Sequence, residues 1–156
     1  MEIEVREPRT EQELNLYYDL RWRILREPWT STRESARDEH EADAIHLIAL
    51  QGGNLLGVGR LHFNSPEEAQ VRYMAVENGH RGAGIGGLVI DTLEARAQQA
   101  GATRVVLNAR EDAIPFYARH GYELIGRIVT PFDAVIHWRM KKDLPPVKKP
   151  TILTSA

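Results

Sequence analysis

The sequence predicts one α/β domain: a mixed, mostly antiparallel sheet of about seven strands flanked by helices. Three observations predict it. Residues 44–76 hold three strand-like apolar runs in hairpin order. A glycine-dense loop at 81–87 then opens a long amphipathic helix, and a further apolar strand-like run follows that helix at 103–110.

Taken in order, "EIEVR" (2–6) alternates as a short strand that Pro8 breaks. "TEQE" at 10–13 is a capping box, and Leu14, Tyr17, Leu20 and Ile24 continue it as a helical stripe to about residue 26. Residues 27–43 are polar and irregular, and such long loops are often functional. "AIHLIALQ" (44–51), the turn "GGN", and "LLGVGRLHFN" (55–64) form a hairpin; "SPEE" turns the chain into the strand "AQVRYMAV" (69–76). The next helix carries Ile85, Leu88, Val89 and Leu93 on one face and stops at Gly101. "TRVVLNAR" (103–110) is a strand, "AIPFYARH" (113–120) a short helix ended by Gly121, and 122–129 with 134–140 a closing antiparallel pair. The domain is expected over 1–141, with the Lys/Pro-rich segment 142–156 as an unpacked tail.

Composition narrows the function. With 156 residues, a net charge of −2 and no cysteine, the chain is long enough for one real core and has neither disulfides nor a thiolate nucleophile. It lacks the basic excess of a general nucleic-acid binder. No apolar run reaches the roughly 18 residues of a membrane span, and the charged start "MEIEVREPRT" is not a secretory signal. A cytoplasmic protein is the expectation, with neither nucleic acid nor membrane as a partner. "DEHE" at 38–41 lies in one irregular run without a partner cluster, so no metal is expected.

The glycine loop is the informative stretch. Between a strand and a helix, exposed N–H groups and the positive end of the helix dipole converge on an anion site. Gly82, Gly84 and Gly86 would let phosphate oxygens reach the backbone, and Arg81 would add a charge-assisted contact from the rim. Gly82, Gly84 and Gly87 also spell a dinucleotide fingerprint, but hairpin-ordered strands precede them and only one strand–helix unit follows, which is not the dinucleotide-binding arrangement. No Lys-Ser/Thr follows the glycines, so the loop is not a P-loop either.

"VRYMAV", "RGAGIG" and "GLVIDTLEARAQQAG", followed by "VVLNAR" and "AIPFYARHGY", resemble the GNAT superfamily of acyl-CoA N-acyltransferases over about residues 44–140. "LRWRILREP" and "VIHWRM" further resemble its ElaA-like branch. The resemblance implies a sheet splayed between its fourth and fifth strands with acetyl-CoA in the gap. It implies that the backbone of Met74, Ala75 and Val76 pairs with the pantetheine arm, that Arg81, Gly82, Ala83, Gly84, Ile85 and Gly86 hold the pyrophosphate, and that Asn108 faces the gap. Arg110 departs from the family pattern, which often has asparagine there.

The reaction it implies is direct attack of an amine on the thioester carbonyl, with a small-molecule amine or a protein amino group as acceptor. Tyr117 matches the family's tyrosine, the general acid for the departing thiolate, against the alternative of a core tyrosine. Gln70 stands where some members carry a glutamate base, and His137 on the last strand is the substitute base, set against a satisfied strand histidine. His46 and His62 face the same alternative. Glu34, Asp38, Glu39, His40 and Glu41 either attract a cationic amine or form a solvated charged loop, and Trp22 and Trp29 either shape an acceptor pocket or pack in the core. The competing function is a non-catalytic acyl-CoA sensor. The sheet edges leave a homodimer open.

Overall fold

In the computed structural model of the chain, residues 2–25, 37–128 and 136–146 are described. The order is β1 (Ile3–Arg6), α1 (Glu11–Leu25), β2 (Ile45–Gln51), β3 (Asn54–Phe63), β4 (Glu68–Val76), α2 (Ile85–Gln99), β5 (Arg104–Arg110), α3 (Ile114–Arg119), β6 (Glu123–Ile128) and β7 (His137–Asp143). A single 3₁₀ turn, Glu111–Ala113, leads into α3. The capping box forms: Thr10 Oγ1 accepts the Glu13 amide at 3.0 Å, while the Glu13 carboxylate takes the Arg9 amide at 2.7 Å. The expected seven strands thus appear in the expected order. Trp29 and Glu34 lie outside the described residues.

The strands make one sheet in the order β1-β2-β3-β4-β5-β7-β6, with β4 parallel to β5 and every other pair antiparallel. α2 covers one face. Val89, Ile90, Leu93 and Ala97 are fully buried there against Leu47, Leu61, Val105 and Leu107. Gly59 on β3 permits this approach, since a Cβ there would stand 2.7 Å from the Val89 side chain. α1 covers only part of the other face, burying Tyr17 and Leu20 on Ile48, Val58 and Ala75. The last strand runs three residues past the boundary expected at 140, because Lys142 pairs with Glu94 at 2.7 Å and the Leu144 amide bonds the Thr103 carbonyl. The start of the 142–156 segment is therefore part of the sheet, in a strand paired with β5 and β6. No helix among the described residues is long and apolar enough to cross a membrane.

Candidate active site

β4 and β5 pair only from Glu68↔Arg104 to Val71↔Leu107, although β4 continues to Val76 and β5 to Arg110. Beyond Val71 the two strands part, so the β5-facing edge of residues 72–76 has no strand beside it. Met74, Ala75 and Val76 lie along that edge, and Asn108 and Arg110 lie across from it.

The parting coincides with a bulge. Against β3, the register steps from Val58↔Ala75 to Arg60↔Arg72, which inserts one extra residue into β4. Tyr73 takes the extra position with φ 59°, the one described non-glycine residue with positive φ. An aromatic residue held there is strained and needs its surroundings to hold it. Arg21 lies 3.7 Å over the Tyr73 ring, with Arg72 at 4.6 Å and Arg60 at 5.0 Å.

Those arginines belong to a buried ionic network. Arg21 and Arg60 are both 0% exposed. Arg21 grips Glu41 at 2.7 and 3.0 Å; Arg60 donates to Asp38 at 2.5 and 2.9 Å and to Glu41 at 2.8 Å; Arg72 reaches Asp38 at 2.6 Å. Burial alone would raise the Glu41 carboxyl, but the Arg21 and Arg60 guanidinium groups and the Tyr18 hydroxyl outweigh it and bring it down to about 2. Asp38 is likewise held far below the usual carboxylate range: burial opposes the shift, and Arg60 and Arg72 overcome it. The sequence alternatives for Asp38 and Glu41 were a solvated loop or a lure for a cationic amine. Neither describes them, because both carboxylates are spent on internal arginines.

His46 and His62 are structural. The His46 Nε2 faces the Glu41 carbonyl at 2.8 Å, so it donates, leaving Nδ1 to accept from the Tyr17 hydroxyl at 2.8 Å. His62 Nδ1 accepts from Arg60 at 3.0 Å, and its Nε2 donates to Asn64 at 3.1 Å. Burial lowers both imidazoles and keeps them neutral. His40 stacks on His62 with ring centroids 4.1 Å apart.

At the far end of β4, the glycine loop leads into α2. α2 starts after Gly84 with no side-chain cap and no acidic residue in its first turn, and its first bond is Leu88 N to Gly84 O. Among the described residues, none accepts a hydrogen bond from the amides of residues 81–87. Gly82 and Gly84 hold φ +87° and +83°, and a Cβ on either would meet nothing within 4 Å. Their side of the loop is open space. Gly86 and Gly87 serve packing instead: a Cβ on Gly86 would press to 3.2 Å on the Phe116 ring, and one on Gly87 to 3.0 Å on His120.

α3 thereby locks to the first turn of α2 and fixes Tyr117. That side chain is 8% exposed, between Phe116 (5.0 Å) and Tyr122 (5.8 Å). Burial pushes its hydroxyl up, so it stays protonated at neutral pH. Arg110 donates to the Leu25 carbonyl at 2.6 Å, joining the end of β5 to the end of α1. His137 stands opposite Arg110, at the end of β5 where the sheet is open. Trp22 is partly buried on α1, with its indole nitrogen away from solvent.

Sequence reasoning missed Arg21, Arg60, Arg72 and Tyr73. One signal was present: Arg60 interrupts the apolar strand "LLGVGRLHF", and a charge inside such a strand requires a buried partner.

Comparison with known proteins agrees with this geometry. The model of the acetyltransferase (GNAT) family matches residues 14–122. The uncharacterized N-acetyltransferase YjcF of Bacillus subtilis is 28% identical over 135 residues, covering 86% of this chain and 96% of that protein. A crystal structure of an aminoglycoside 6'-N-acetyltransferase complexed with coenzyme A superposes with a TM-score of 0.77 at 16% identity, covering 96% of this chain and 99% of the other. Escherichia coli ElaA superposes with a TM-score of 0.71 at 17% identity over 90% and 98% of the two chains. At such identities the two structures are likenesses of fold.

Proposed function

The chain belongs to the acetyltransferase (GNAT) family, and from that premise we propose that it transfers the acetyl group of acetyl-CoA to a primary amine, of a small molecule or a protein, by direct attack while both substrates are bound. One observation carries the reading: the open amides of residues 81–87 lie where β4 hands the chain to α2, beside the parted strands. A pyrophosphate needs such donors, and an amide-bearing pantetheine arm can pair with the free edge of β4 as an added strand. Met74, Ala75 and Val76 supply that edge; Arg81, Gly82, Ala83, Gly84 and Ile85 hold the phosphates, while Gly86 is taken up by packing on Phe116, and Asn108 lines the opposite wall.

The chemistry asks for two proton movements. The amine nitrogen bonds to the thioester carbonyl carbon and gives up a proton, which His137 takes directly or through water. The carbon–sulfur bond breaks, and the leaving sulfur takes the proton that burial retains on Tyr117. Free N–H groups on the edge of β4 beside Val76 polarise the carbonyl as charge develops there.

Release of free thiol from acetyl-CoA tests this directly, since the chain has no cysteine of its own. Amine-dependent release is expected, and Tyr117→Phe is expected to slow it about 100-fold while acetyl-CoA still binds. Full turnover in that variant would remove Tyr117 as the acid. Binding without thiol release on any amine would leave a sensor.

A further inference from the structure

The parted strands are spaced by their own pairing at one end only. From Glu68↔Arg104 to Val71↔Leu107 the ladder fixes the distance between them; beyond it, β4 runs on to Val76 and β5 to Arg110 with no pairing between the two. A site for an extended ligand needs its walls held to within about 0.5 Å, and supporting contacts must supply this where a ladder does not.

Two ties cross the open end, one on each face of the sheet. On the α2 face, the first turn of α2, which follows β4, meets α3, which follows β5, through Gly86 and Phe116. On the opposite face, the last turn of α1 reaches both walls. Arg23 donates to both oxygens of the Glu77 carboxylate, at 3.0 and 2.8 Å, and Glu77 is the first residue after β4. Two residues further along α1, the Leu25 carbonyl accepts from Arg110, the last residue of β5, at 2.6 Å.

Both contacts are themselves supported. Asp19, one turn back on α1, takes the Arg23 Nε at 2.7 Å and aims the guanidinium. The Glu77 amide donates to the Leu56 carbonyl at 2.8 Å, which ties that wall to β3. The Leu25 carbonyl is among the last four of α1, which lack partners within the helix, and a cation there also meets the negative end of the helix dipole. Tyr17 and Leu20 seat α1 on Ile48, Val58 and Ala75, so its last turn is not a free arm.

We propose that the last turn of α1 is a brace that sets the width of the gap between β4 and β5 for the pantetheine arm of acetyl-CoA, with Arg23 and Arg110 as its positioning residues. The brace acts through the two walls, and neither arginine has to touch the cofactor. It rests on the acetyl-transfer reading, which supplies the arm as the ligand of the gap. With either tie cut, the arm must order the β5 wall as it binds and loses affinity by that cost. The phosphates, held by the glycine loop, do not feel the width of the gap.

Calorimetry with two ligands tests the brace: acetyl-CoA, which has the arm, and 3′-phospho-ADP, the nucleotide half of coenzyme A without it. Arg110→Ala is expected to weaken acetyl-CoA about tenfold and to leave 3′-phospho-ADP unchanged. Arg23→Ala, which cuts the other tie, is expected to do the same. A brace released at either end joins nothing, so the double variant should bind no more weakly than the weaker single variant. Unchanged acetyl-CoA affinity in Arg110→Ala, equal losses for both ligands, or single effects that multiply in the double variant would each overturn the proposal and leave the acetyltransferase reading standing. Should Arg110→Ala fail to fold, Arg23→Ala decides: a loss confined to acetyl-CoA supports the brace, and an unchanged affinity overturns it. Failure of the unaltered protein to bind acetyl-CoA would instead sink the reading on which the brace rests.

Discussion

Gly84 and Gly86 are separated by one residue and serve opposite ends. Gly84 faces open space and is needed for its left-handed backbone; Gly86 has ordinary φ and is needed because Phe116 is there. Gly84→Ala puts an L-residue into the left-handed region at a cost of about 1 kcal/mol and disturbs the glycine loop, so its main effect should be weaker acetyl-CoA binding. Gly86→Val drives a side chain into Phe116, an overpacking that costs about 1–3 kcal/mol, so its main effect should be a lower Tm. Melting and calorimetry on both variants check this; equal Tm losses with equal affinity losses would contradict the division. Density of glycine was legible in the sequence, and so was the turn from strand to helix that carries it. Which glycine served which end was not, because Phe116 and His120 arrive from a helix about thirty residues downstream.

Among the elements, those with clean periodicity were legible, since burying one face of a strand or helix imposes a repeat on the sequence. The bulge in β4 was not. "AQVRYMAV" reads as an unbroken strand, and no local feature announces that Tyr73 adopts positive φ. Its support is tertiary: Arg21 from α1 and Arg60 from β3 stack on the ring, and Glu41 bridges the two arginines. The same network makes stability depend on pH. Glu41 has its carboxyl brought from an ordinary 4.5 to about 2 by folding, so its ionised form adds stability that is complete above the unfolded value and is lost as pH falls toward the folded one. Glu41→Gln forgoes that contribution. The gap in Tm between the unaltered protein and the variant should be widest near neutral pH and should narrow below about pH 4. A gap that stays constant from pH 7 to pH 3 would contradict the network as described.

For the molecule as a whole, the sequence motifs foretold where the sheet splits, and the register places the last β4–β5 pair at Val71↔Leu107. What they did not foretell is the asymmetry of the two faces, one shut by α2 and α3 and the other floored by arginines. Among the described residues, α1 packs on the β2–β3–β4 side of its face, and Asn108 is exposed on β5. The proposed acetyl transfer depends on the glycine loop accepting coenzyme A. Calorimetric titration with acetyl-CoA, coenzyme A and NAD is the direct measurement. Saturable binding of both coenzyme A species and none of NAD is expected. Binding of NAD in preference to coenzyme A, or of neither, would contradict it.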